Sequence, residues 1–127
     1  YAIVGGNYTV DNGKMLLKGG EGAGIYNEAE NGLSNIRGTI AMARDGQDAD
    51  SATCQFFINL GDNSSFDYDP PEPDVPVWQT AGYCAFGEVE GNGLTLLDER
   101  ASRKVTSRNE MNQVPAEPIV IISARKL

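Results

Sequence analysis

Hydrophobic and polar positions along this chain alternate in short runs rather than in long helical stripes. Tyr1 to Val4 is apolar and halts at Gly5-Gly6, which reads as a strand stopped by a turn. Asn12-Gly13 marks a second turn and Asn31-Gly32 a third, after which residues 36–43 read as a strand. Residues 54–60 and 83–89, rich in β-formers, predict two more strands. Leu94, Leu97 and Ala101 fall at i, i+3 and i+7, so residues 94–103 predict a short amphipathic helix. Residues 119–124 form a continuous, largely β-branched run, the pattern of a buried strand. Strands separated by turns, with one short helix, predict a mainly β fold of the antiparallel barrel type. At 127 residues the chain is expected to be a single domain, 1–127, with enough length for a real core.

Two stretches interrupt this pattern. Residues 67–78 carry Pro70, Pro71, Pro73 and Pro76 among four acidic residues, too many prolines for regular structure. They predict a long, stiff surface loop whose Trp78 either packs it down or forms part of a binding rim. Residues 18–24 are Gly-rich but lack the Gly-Lys-Ser/Thr ending of a phosphate loop, so they predict a flexible surface loop instead.

The chemistry concentrates between these stretches. Gly38 to Arg44 leads through an acidic loop into Ser51-Ala52-Thr53-Cys54-Gln55-Phe56-Phe57-Ile58-Asn59. Adjacent aromatics on a strand face opposite sides, so at most one of Phe56 and Phe57 belongs to a given core. A Gln beside an aromatic floor is the composition of a small pocket with one amide-directed hydrogen-bonding group.

Charge and composition remove most other chemistries. Net charge is −8 with no Lys/Arg-rich block, so no nucleic-acid backbone partner is expected. No apolar run approaches the roughly 20 residues of a membrane span. No secretory signal is visible and the chain begins at Tyr1 rather than Met, leaving cytoplasmic and periplasmic or secreted locations both open. The absence of His excludes Ser-His-Asp and Cys-His nucleophile systems and His-ligated zinc, and two Cys cannot build a four-thiolate site. Cys54 and Cys84 read as small buried strand residues, with a disulfide as the alternative. Neither Asp45-Asp48-Asp50 nor the acidic residues of 67–74 match the helix-loop-helix calcium spacing, so both read as solvated loops. No metal or cofactor is expected.

The central run resembles the core of cyclophilin-type peptidyl-prolyl cis-trans isomerases, especially bacterial forms with a short, Arg-containing loop. Other blocks follow in the family's order over essentially the whole chain. Tyr1-Ala2-Ile3-Val4-Gly5-Gly6 resembles the aromatic-Met-Ile-Gln-Gly-Gly strand and turn, and Asn27 to Leu33 the segment before the central strand. Tyr83 to Val89 and Pro118 to Ala124 resemble two later strands. The resemblance implies a closed antiparallel β-barrel with a capping helix, and an enzyme that accelerates X–Pro bond rotation during protein folding. Proline-containing peptides and unfolded proteins would be its partners, with cyclosporin-like ligands as candidates. Phe57 would floor the proline socket, Tyr1, Ala2 and Phe66 would line it, and Tyr83 would stand at its rim. Gln55 and the backbone around Arg44 would hydrogen-bond the substrate.

Three departures accompany the match. The family's catalytic Arg, in a Phe-His-Arg strand, would lie a few residues before Tyr1. Val4 stands where the family usually carries a substrate-binding Gln, and Ser65 replaces an aromatic before the socket residue Phe66. Arg37 and Arg44 are the candidates for a substitute donor. Two readings follow: a piece of a complete enzyme, or a proline-peptide-binding module without catalysis. A barrel lacking strands would expose long unpaired edges, so the first is expected.

Overall fold

The computed structural model describes residues 1–19, 22–108 and 111–127, and residues 20 and 21 of the expected Gly-rich loop lie outside them. The first strand, β1 (Ala2–Gly5), is followed by an antiparallel hairpin of β2 (Tyr8–Asp11) and β3 (Lys14–Leu17). Asn12 and Gly13 at its tip both have positive φ, 47° and 74°, the requirement of a type I′ turn that Asn-Gly meets at low cost. β4 (Thr39–Met42), β5 (Phe56–Asn59) and β6 (Ala85–Glu88) join β1 in an antiparallel sheet of order β1-β5-β4-β6. Two helices flank β6: α1 (Val77–Thr80) before it and α2 (Gly93–Ala101) after it. A second hairpin, β7 (Val105–Arg108) with β8 (Met111–Pro115), was not legible as strands in the sequence.

Register fixes which residues share a face. Val4 pairs with Phe57 and Phe57 with Ala41, while Ile3 pairs with Ile58 and Ile58 with Ile40. Alternation therefore puts Ala2, Val4, Phe57, Asn59 and Ala41 on one face and Ile3, Phe56, Ile58, Ile40 and Met42 on the other. A bulge between Ile40 and Ala41 sets Ile40 opposite Gly87 but Ala41 opposite Ala85, which leaves Phe86 as the extra residue. Phe86 is 52% exposed, whereas Ala41, Phe57 and Ala85 form the buried core, with Ala2, Ala43, Phe66 and Tyr83 packed against it. The core thus sits on one face of the sheet.

Helix α2 is held beside the start of β4. Leu94 lies over Gly38, where an added Cβ would approach its methyl carbons to 3.4 Å, and Arg37 pairs with Asp98 at 2.7 Å.

The mainly β class is as expected. Among the described residues the four-stranded sheet is open, with β1 and β6 as its edges. The strand expected over residues 119–124 is not formed: residues 118–127 have no regular structure, and Ile122 is 96% exposed. A β-branched run becomes a buried strand only when neighbours pair with it and cover both faces, and no described strand does so here. The Pro-rich loop is exposed from Pro70 to Asp74, but its end winds into α1, so Trp78 is helical and half-buried. Cys54 and Cys84 are unpaired and half-buried.

Candidate functional site

Phe57 reaches the site because β5 is the central partner of both β1 and β4, and its ring stands on the face lined by small Ala41 and Ala85. Small neighbours leave room for rings arriving from outside the sheet. Phe66, from the 3-10 turn Ser64–Phe66, packs edge-on against Phe57 at 5.8 Å between centroids, and Tyr83 does so at 5.7 Å. Phe66 and Tyr83 lie 5.3 Å apart, closing a triangle of rings in the range of favourable aromatic pairs. Tyr1 adds a fourth ring, 6.2 Å from Phe66 and largely exposed. Three separate segments therefore converge on one apolar cluster.

Val4, opposite Phe57, is 58% exposed and forms an apolar lip. Gln55 lies two residues before Phe57, on the same side of the chain as the ring, and its carbonyl accepts a hydrogen bond from the Ala43 amide. Among the described residues its side-chain amide has no hydrogen-bond partner, and it lines, with β1, the end of α2 and the β7–β8 pair, a hollow of about 690 Å³ to which Phe57, Phe66 and Tyr83 do not contribute. A half-buried amide with unspent donor and acceptor capacity suits recognition of a peptide group.

Arg44 is spent on structure. Its guanidinium donates to the carbonyls of Gly82 at 2.9 Å, Asp45 at 2.9 Å and Trp78 at 2.9 Å, and it stacks over the Tyr83 ring at 4.6 Å. The side chain ties the end of the Pro-rich loop to the socket rim, a cation–π contact backed by three carbonyl anchors. Arg37 donates to the Leu60 carbonyl and both carboxylate oxygens of Asp98, on the α2 side. The hydrogen bond from Arg37 holds the Asp98 carboxyl below the usual range. Arg37 is engaged away from the ring cluster, and Arg44 stacks on its Tyr83 ring with its N–H groups donated to carbonyls.

Gly82 makes the rim turn feasible. Its φ is +64°, and an added Cβ would sit 2.5 Å from the Tyr68 amide nitrogen, so backbone passes backbone where no side chain fits. The acidic loop over residues 45–50 also has a local explanation. Asp45 caps the Gln47 amide, Asp48 caps Asp50, and Asp50 accepts from the Asn27 amide, so these carboxylates fold the turn.

Two polar neighbours of the ring cluster escaped the sequence reading: Asn35 and Asn59, both fully buried. Asn is depleted in strands, so the Asn closing Phe56-Phe57-Ile58-Asn59 was a signal that a polar network lies there. A separate cavity of about 180 Å³, lined by Ile25, Met42, Ala52, Cys84 and Phe86, faces away from Phe57. Burial beside it, with the charge of Glu28, raises the Cys84 thiol above its ordinary value and keeps it protonated.

Residues 1–126 match the family model described as cyclophilin type peptidyl-prolyl cis-trans isomerase/CLD. Over 101 residues the chain is 41% identical to peptidyl-prolyl cis-trans isomerase A of Dickeya dadantii, covering 80% of this chain and 48% of that protein. It is 40% identical over 128 residues to the Streptomyces antibioticus peptidyl-prolyl cis-trans isomerase, covering 100% of this chain and 70% of that one. The Escherichia coli peptidyl-prolyl cis-trans isomerase B is 40% identical over 126 residues, covering 91% and 72%. The chain thus spans about half the length of the Dickeya relative and more of the other two. With the family pattern matched from Tyr1 nearly to the last residue, this chain belongs to the cyclophilin-type peptidyl-prolyl cis-trans isomerases.

Proposed function

We infer that this chain carries the proline-binding face of a peptidyl-prolyl cis-trans isomerase. One observation carries the reading: Phe57, Phe66 and Tyr83, from three separate segments, pack into one ring cluster, and Gln55 nearby has no side-chain hydrogen-bond partner among the described residues. Proline-containing peptides and unfolded proteins are its substrates, and cyclosporin-like ligands would compete for the same face. We read the open four-stranded sheet as part of a closed antiparallel barrel in which its β1 and β6 edges would be paired.

Amide resonance sets a barrier of about 18–20 kcal/mol to X–Pro rotation. No bond to the enzyme is needed to lower it, only tighter binding of the twisted amide than of the planar one. The pyrrolidine ring rests on Phe57 between Phe66 and Tyr83, while Tyr1 and Ala2 line the approach. Gln55 and the backbone around Arg44 hold the flanking peptide groups, so the chain on one side of the bond is fixed while the other turns. In the twisted state the prolyl nitrogen gains a lone pair, and a donor aimed at it selects that state. By the family pattern that donor is the Arg of a Phe-His-Arg strand, and Arg37 and Arg44 are both engaged with other partners. Each ~1.4 kcal/mol of preference for the twisted amide is worth tenfold in rate.

The test is exchange NMR on an Ala-Pro peptide, with peptide affinity measured in parallel. A chain extended upstream through the Phe-His-Arg strand should catalyse exchange and bind. The 127-residue chain should bind comparably but catalyse roughly a hundredfold to a thousandfold more slowly, the cost of one missing charged donor. Binding without catalysis in the extended chain would make this a peptide-recognition module. Absence of binding in both would end the reading.

A further inference from the structure

We propose that Asn35, with Asn59, is the positioning residue that sets the spacing of the socket walls. This inference rests on the isomerase reading for its functional consequence but not for its geometry. Asn35 is 0% exposed, and the two N–H groups of its Nδ2 are divided among the Tyr83 carbonyl at 3.1 Å, Asp67 Oδ1 at 3.0 Å and, as a shared and longer contact, the Phe66 carbonyl at 3.3 Å. One amide therefore spans the two segments that carry the socket walls. Those segments also meet directly, through the Tyr83 amide on the Phe66 carbonyl at 2.8 Å.

The amide itself is held from behind. Asn59, also 0% exposed, donates from Nδ2 to Asn35 Oδ1 at 3.2 Å and to Thr39 Oγ1 at 2.9 Å. Asn59 is two residues from Phe57 on β5, so the link runs from the strand of the floor to both walls. Asn63 donates to Asn59 Oδ1 at 2.7 Å and to the Tyr1 carbonyl at 3.1 Å, which brings the fourth ring's segment into the same network. Asp67 anchors the far end, accepting from the Asn35 backbone amide at 2.7 Å and from the Ser34 hydroxyl. Burial alone would raise the Asp67 carboxyl, yet the bonds from Ser34 and Asn35 outweigh it and hold the group below its ordinary value, ionised.

A buried amide is costly unless its bonds are made, and a fully satisfied network rigidifies what it joins. Here it joins carbonyls of Tyr1, Phe66 and Tyr83 to the strand of Phe57. Sockets need their walls within about half an ångström of the productive geometry. Ring packing alone does not supply that, since edge-on aromatic pairs tolerate a wide range of separations.

Three measurements test this. In the unmodified protein the Asn35 side-chain NH2 protons should exchange with water more slowly than those of any exposed Asn; rapid exchange would overturn the proposal. Asn35→Ala should shift the ring-current-perturbed methyl signals of Ala41 and Ala85 and weaken proline-peptide binding about tenfold. Asn35→Ser, which keeps a single donor, should fall between and serves if the Ala variant does not fold. Leu94→Ala is the control, loosening α2 against Gly38 without touching these carbonyls. It should lower Tm while leaving the methyl shifts and peptide affinity unchanged. If Asn35→Ala loses Tm but keeps both shifts and affinity, the network is merely structural. If the unmodified protein binds no proline peptide, the functional reading fails, and the methyl shifts still decide the positioning.

Discussion

The two faces of the four-stranded sheet are made from the same four strands yet behave as different materials. The face of Phe57 is built from alanines, three interlocked rings and a buried amide network. The opposite face is built from Ile3, Ile40, Ile58, Phe56 and Met42, all half-buried, with Phe86 exposed beside them. By hydrophobicity the second face is the more apolar. By packing it is the less complete, because nothing described in this chain interlocks with it as Phe66 and Tyr83 do with Phe57. Hydrophobic content sets what a face can bury, and the segments that arrive over it decide what is buried.

Truncation on the two faces should therefore differ most. Phe57→Ala should cost about 3–5 kcal/mol in denaturant unfolding, because it opens a cavity among rings fixed by their own networks. Peptide binding should go with it. Phe86→Ala should change stability by no more than about 0.5 kcal/mol, as for other surface substitutions. Equal losses at the two positions would show that the faces are packed alike.

The rim can be broken without touching a ring. Gly82→Ala forces φ of +64° on a residue with a Cβ and drives that carbon toward the Tyr68 backbone, so a loss of about 1–3 kcal/mol is expected. Thermal denaturation reads the loss, and the Tyr83 ring signals should move with it. Arg44→Ala should be milder, about 1–2 kcal/mol, since it removes the carbonyl anchors and the Tyr83 stack while the rings stay in contact. Its sharper signature is a change in peptide preference as the Pro-rich loop loosens.

Acid should act on the amide-networked face first. Asp67 has a depressed folded-state value, so its stabilising contribution is complete above the unfolded carboxylate value and is lost as pH falls through the folded one. Melting curves from pH 6 down to pH 2 should steepen below about pH 4, and Asp67→Asn should flatten that part of the profile. Asp98 has the same sign, but its pair with Arg37 is solvent-exposed, so Asp98→Asn should give only a marginal change that shrinks with salt.

How much of this was written in the sequence depends on the range of the interaction that decides it. The Asn12-Gly13 hairpin tip, the helix near Leu94 and the strands around Ala41, Phe57 and Ala85 are legible because turn chemistry and periodicity act over a few residues. That Phe56 and Phe57 part to opposite faces follows from strand geometry alone. The candidate ring set was named from the family pattern, which encodes contacts that no local rule supplies. Tertiary structure decided the rest. It engaged Arg37 and Arg44 with carbonyls and a carboxylate, buried Asn35 and Asn59 against propensity, and left residues 118–127 without a partner strand among the described residues. For the two arginines and the two asparagines the deciding partners lie tens of residues away. A guanidinium, an amide or a β-branched run has no fixed role until the fold brings that partner within hydrogen-bond or van der Waals reach.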